Sequence, residues 1–62
     1  MTALVTHRNL DRPDDVYDLL LTAHEGLSPE ESSALNARLI LTLCNHVGDV
    51  RIIRAALEVA RE

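Results

Sequence analysis

The chain predicts an all-α unit of three short helices behind an extended N-terminal arm, on three observations. From Val16 onward, apolar residues recur at three- and four-residue steps, the spacing that lines one face of a helix. Gly26 and Gly48 interrupt that pattern, and each is followed within two residues by a capping side chain, Ser28 or Asp49. Both connections are short, so consecutive helices should be antiparallel neighbours or a sharply crossed pair. The expected division is an arm over residues 1–11 and a three-helix domain over 12–62, with helices at about 12–25, 29–47 and 50–61.

Residues 1–10 show no helical period, and the alternation of Thr2, Leu4 and Thr6 fits an extended segment that could lie as a short strand against something else, or a frayed terminus. The first helix should begin near Asp11, read as its cap. Pro13 is tolerated in a first turn, where amides lack intrahelical partners. Asp14 and Asp15 then favour the positive end of the helix dipole. Val16, Tyr17, Leu19, Leu20, Ala23 and His24 face one way, while Asp14, Asp18, Thr22 and Glu25 face the other. Gly26 supplies a left-handed residue after this helix, and Leu27 sits where a closing hydrophobic contact belongs.

Ser28-Pro29-Glu30-Glu31 is the sharpest local signal: a serine cap, proline at the first helical position, and a glutamate reaching back from the third. From Ala34 to Val47 the second helix carries an apolar arc of about 220°, against the ~100° of an ordinary surface helix. Arg38, Thr42 and Asn45 form the narrow polar stripe opposite, with His46 at its edge. Such a helix must sit between other helices, of its own chain or of another. Gly48 stops it and Asp49 caps the third helix. There Ile52, Ile53, Ala55, Ala56, Leu57, Val59 and Ala60 cover about half the circumference. Arg51, Arg54, Glu58 and Arg61 make the polar stripe, with Arg54 and Glu58 expected to pair at i,i+4.

Composition narrows the function. Sixty-two residues make one small domain at most. With one tyrosine and no Phe or Trp, its core must be aliphatic. Residues 1–31 hold two arginines against seven acids and residues 32–62 four against three, so −5 and +1 give the net charge of −4. An acidic chain without lysine is a poor binder of phosphate backbones or anionic membranes. No apolar run is long enough for a membrane span, and the first residues lack the pattern of a secretory signal, so the cytoplasm is the expected compartment. A lone Cys44 makes no internal disulfide.

The stretch from Ala23 to Asp49, AHEGLSPEESSALNARLILTLCNHVGD, together with the P-D-x-x-Y-D-x-L pattern that starts at Pro13, resembles a family of short bacterial proteins catalogued as a domain of unknown function. The motifs HEGLS, ESxALNARLIL and NHxGD occur in that order, and the resemblance covers most of the chain. Cys44 and Val47 stand at positions expected to be small or aliphatic, and both suit them. The resemblance implies no activity. It does imply a neighbourhood of flavin-dependent aromatic hydroxylases and ring-degrading enzymes, and hence an accessory subunit.

No catalytic, cofactor or metal constellation is legible. His24 and Glu25 are adjacent on a helix, so their side chains diverge by ~100°, and His24 more simply bonds a free carbonyl at the helix end. Cys44 and His46 diverge by ~200° and cannot chelate together, which leaves Cys44 as a small hydrophobe. His24 and His46 should lie ~25 Å apart, at opposite ends of the second helix.

The candidate site is therefore a protein-contact face: Leu39, Ile40, Leu43, Cys44 and Val47 on the second helix, with Ile52, Ile53, Ala56, Val59 and Ala60 on the third. Asn36, Arg38, Asn45 and His46 are candidate polar specificity contacts. Each also has a simpler reading: Asn36 as a satisfied core amide, Arg38 as a clamp on Asp14, Asp18 or Glu31, and Asn45 and His46, with Asp49, as caps of a tight turn. The expected function is a non-catalytic interaction module, either an accessory or stabilising subunit of a larger enzyme or an obligate homo-oligomer. Scarce aromatics suit an obligate aliphatic interface better than a transient one. The alternative is a helix-turn-helix regulator presenting Arg51, Arg54 and Arg61 to DNA, which the acidic balance disfavours.

Overall fold

The computed structural model describes residues 3–62 and is all-α, with α1 at Pro13–His24, α2 at Pro29–Val47 and α3 at Val50–Ala60. α2 has the expected bounds, and α1 and α3 are a residue or two shorter than the periodicity indicates. Residues 3–12 form no helix or strand; Thr2 lies outside the described residues.

The start of α1 corrects the expectation of an Asp11 cap. Arg12 occupies the N-cap position and no side chain bonds the free amides there. Pro13 takes the first helical position, which moves the cap one residue past Asp11. The first helical bond runs from the Val16 amide to the Arg12 carbonyl, at 3.3 Å, and the Arg12 guanidinium pairs with the Asp15 carboxylate one turn on.

α1 ends in a type II turn. Glu25 sits at φ −59°, ψ 131° and Gly26 at φ +75°, and the Leu27 amide donates to the His24 carbonyl at 3.2 Å. The third residue of such a turn needs positive φ, which glycine adopts without a Cβ penalty. The capping box follows as expected: the Glu31 amide donates to Ser28 Oγ at 3.1 Å and the Ser28 amide to Glu31 Oε1 at 2.9 Å. A third tie crosses this junction, a hydrogen bond between His24 Nδ1 and Ser32 Oγ at 3.0 Å. The free carbonyl expected as the partner of His24 is thus replaced by a hydroxyl on the next helix.

At the second junction Gly48 is left-handed, φ +71° and ψ 11°, and its amide donates to the Cys44 carbonyl at 2.9 Å. Asp49 is extended and caps α3, with Oδ1 accepting from the Arg51 amide at 2.9 Å. This turn sets α3 against α2, the helix pair that packs most closely among the described residues.

That packing closes no core. Among the described residues not one side chain is buried, apolar or polar. The half-buried ones gather along α2 at Ser32, Leu35, Leu39 and Cys44 and on α3 at Ile52, Ile53 and Ala55. A folded 6.9 kDa monomer exposes about 4,000 Å² and has a radius of gyration of about 11 Å. This chain exposes 5637 Å² with a radius of 13.4 Å. The irregular arm supplies part of that excess and the open helix faces the rest.

Candidate functional site: an aliphatic groove between α2 and α3

The C-terminal half of α2 and the inner face of α3 enclose a groove of about 370 Å³. Ile40, Leu43, Cys44 and Val47 form one wall, and Ile52, Ile53, Ala56, Leu57 and Ala60 the other. On α2 these are one ridge, because residues three and four apart stack on the same face. On α3 the steps from Ile52 to Ala56 to Ala60, and from Ile53 to Leu57, repeat the same spacing. Leu4, half-buried, reaches the groove from the arm. Among the described residues no charged or aromatic side chain lines it.

Most of the contact residues read from the sequence meet here. Leu39 is half-buried but lies off the groove, and Val59 is half-exposed outside it. Leu57 and Leu4 are the additions. The first was legible, since it lies four residues after Ile53 on the same face. Leu4 was not, because nothing periodic in the arm marks it.

The groove stays open to water: Ile40 is 58% exposed, Leu43 52% and Leu57 52%. α1 leaves its own apolar side open too, with Leu19 70% and Leu20 41% exposed.

The four polar candidates are all exposed. Asn36, therefore, is not a satisfied core amide. Arg38 clamps no carboxylate: the ion pairs among the described residues are Arg12–Asp15 and Arg51–Asp49. Its carbonyl instead accepts from Thr42 Oγ1 at 2.8 Å. The side chains of Asn45 and His46 make no hydrogen bond among the described residues; Gly48 and Asp49 carry out the capping there. The expected Arg54–Glu58 pair is also absent, since neither residue is in an ion pair among those described.

The turn that joins the two walls carries a charge-assisted fork. Arg51 folds back on Asp49, with Nε 3.2 Å from Oδ1 and Nη2 3.0 Å from Oδ2. This fork, assisted by the Arg51 amide, holds the Asp49 carboxyl below its ordinary range.

Elsewhere, Asp15, Asp18, Leu19, Thr22 and Ala23 outline a depression on α1. One helix makes all of it, so no second wall encloses a ligand, and Asp15 is engaged by Arg12. Among the described residues no three His, Cys, Asp or Glu side chains gather as a metal site would require. None of the helices is long and apolar enough to cross a membrane.

Fold and groove together define a small all-α protein with an open aliphatic face and, among its described residues, no buried side chain. Residues 4–62 match the family described as Protein of unknown function (DUF2783), and the chain belongs to it. No curated protein and no solved structure is significantly similar to the chain.

Proposed function

We propose that the chain is a non-catalytic protein-binding module whose α2–α3 groove is its contact face. One observation carries the reading: no described side chain is buried, while an uncharged groove of aliphatic side chains faces water. Burying apolar area yields roughly 25 cal/mol per Å², so a partner that covers that face stabilises the chain in proportion to the aliphatic surface it removes from water. The absence of Trp and Phe favours a long-lived aliphatic interface over a transient one built on aromatic anchors. In this role the chain serves as an accessory or stabilising subunit of a larger enzyme, or as an obligate oligomer. The resemblance directs the first partner search to flavin-dependent aromatic hydroxylases, and the cytoplasm is the proposed compartment.

The helix-turn-helix reading draws less support, because Arg51 is held by Asp49, leaving Arg54 and Arg61 on a chain of net charge −4.

Amide exchange and thermal melts of the full chain at rising concentration test the proposal. Weak protection in dilute solution that rises with concentration, or on addition of a co-expressed hydroxylase, is the expected result. Full protection along α2 and α3 in a concentration-independent monomer would overturn it.

A further inference from the structure

We infer that the chain's own N-terminal arm is a displaceable strap: Leu4 seats in the α2–α3 groove, and the polar stretch behind it is a tether that releases the groove to a protein partner. The inference adds regulation to the contact face, and only its last step, release to a partner, rests on that reading. The arm selects itself by burial and position. Among residues 3–12, Leu4 alone is not exposed, whereas Val5 is 48% and Leu10 53% exposed. Leu4 lines the same groove as Leu43, Val47, Ile52 and Ile53. The arm thus enters the groove by a single apolar hook.

Little else holds the arm. Among the described residues no hydrogen bond involves residues 3–11, and the first ion pair along the chain begins at Arg12. Behind the hook, Thr6, His7, Arg8, Asn9 and Asp11 are all exposed, as a solvated tether requires. From Leu4 to Pro13 that tether reaches about 30 Å when extended, against about 10 Å for the ridge from Ile40 to Val47. Leu4 can therefore leave and return without any movement of α1. Half the burial energy of a leucine side chain is worth about a four- to tenfold equilibrium factor, before the cost of ordering the arm is met. A seat that shallow competes with weak apolar contacts and yields to a partner that covers the whole groove.

The test uses the full purified chain and the apolar dye anilinonaphthalene sulfonate as the probe. Wild-type spectra should show methyl contacts from Leu4 to Leu43 or Val47. Leu4→Ser should abolish those contacts at unchanged helicity and tighten dye binding about two- to tenfold, read from the Leu43 and Ile53 methyl shifts so that dye on α1 is not counted. Val5→Ser, beside the hook but exposed, should bind dye as the wild type does. Absent Leu4 contacts, a Leu4→Ser chain that binds dye no tighter, or a Val5→Ser chain that matches it would overturn the strap and leave the protein-binding reading standing. Should Leu4→Ser lose helicity, the wild type decides: dye that saturates the groove must erase the Leu4 contacts, and contacts that persist overturn the displacement. Full protection of α2 and α3 in a concentration-independent monomer is the separate result that overturns the protein-binding reading, and with it the release step.

Discussion

Replacing Gly48 by alanine tests the turn that sets α3 against α2. Gly48 is at φ +71°, and a Cβ built there meets only the Asn45 carbonyl oxygen, at 3.7 Å. That is ordinary contact, so the substitution carries a conformational cost and no clash. A left-handed backbone costs an L-residue about 1–2 kcal/mol. The stiffer unfolded chain returns about 0.4–1 kcal/mol of this. The net loss therefore lies between about 0 and 1.6 kcal/mol, centred near 0.8 kcal/mol, about a fourfold fall in the folded population. Asparagine visits this region more readily, so Gly48→Asn should recover part of the loss. Gly26→Ala is the matched control, at φ +75° with nothing within 4 Å of the new Cβ, and it should cost a similar amount. Urea melts followed by circular dichroism, all at one protein concentration, measure the difference, because association would otherwise shift the midpoints. A Gly48→Ala more stable than the parent, a loss above about 3 kcal/mol, or an asparagine as costly as the alanine would refute the backbone argument.

Three further outcomes follow from the caps and the junction. Ser28→Ala should cost about 1 kcal/mol, and Ser28→Ala with Glu31→Ala less than the two singles combined, because each bond of the box holds the other in place; additive melts would contradict the reciprocal geometry. The Asp49 carboxyl should titrate below its ordinary value of 3.8, held there first by the Arg51 side chain. A lowered folded value means that the unfolded chain takes up the proton first as pH falls. The contribution is therefore complete above 3.8 and lost below it, through the folded value. Carboxyl NMR should show Arg51→Ala moving the midpoint upward, and an unmoved midpoint would count against the fork. Ser32→Ala removes the partner of His24 Nδ1 and should cost about 0.5–1.5 kcal/mol, read as faster amide exchange around the α1–α2 turn.

Much of this architecture was legible because its signals are local. Ser28, Pro29 and Glu31 fix the start of α2 within four residues, and Gly26 and Gly48 mark backbone that other residues adopt at a cost. The apolar ridges of α2 and α3 followed from spacing alone, and most of them meet in one groove. What escaped depended on distance or on competition between groups. Asp11 looked like a cap, but the proline two residues on left that position to Arg12. Arg54 and Glu58 have the right spacing, yet exposed pairs gain little in water and these stay apart. Asn36 resembled a core amide because its helix is apolar on both sides; no neighbour arrives to cover it. Leu4 joins the groove through the path of an irregular arm, which no periodicity encodes.

The half-buried thiol of Cys44 sits in the groove wall and is the chain's one cysteine. That makes it a built-in reporter. Its rate of reaction with a small alkylating reagent follows how often the wall is bare, without any engineered label. Titrating the protein, or any suspected partner, against that rate would turn occupancy into a number readable in a cuvette.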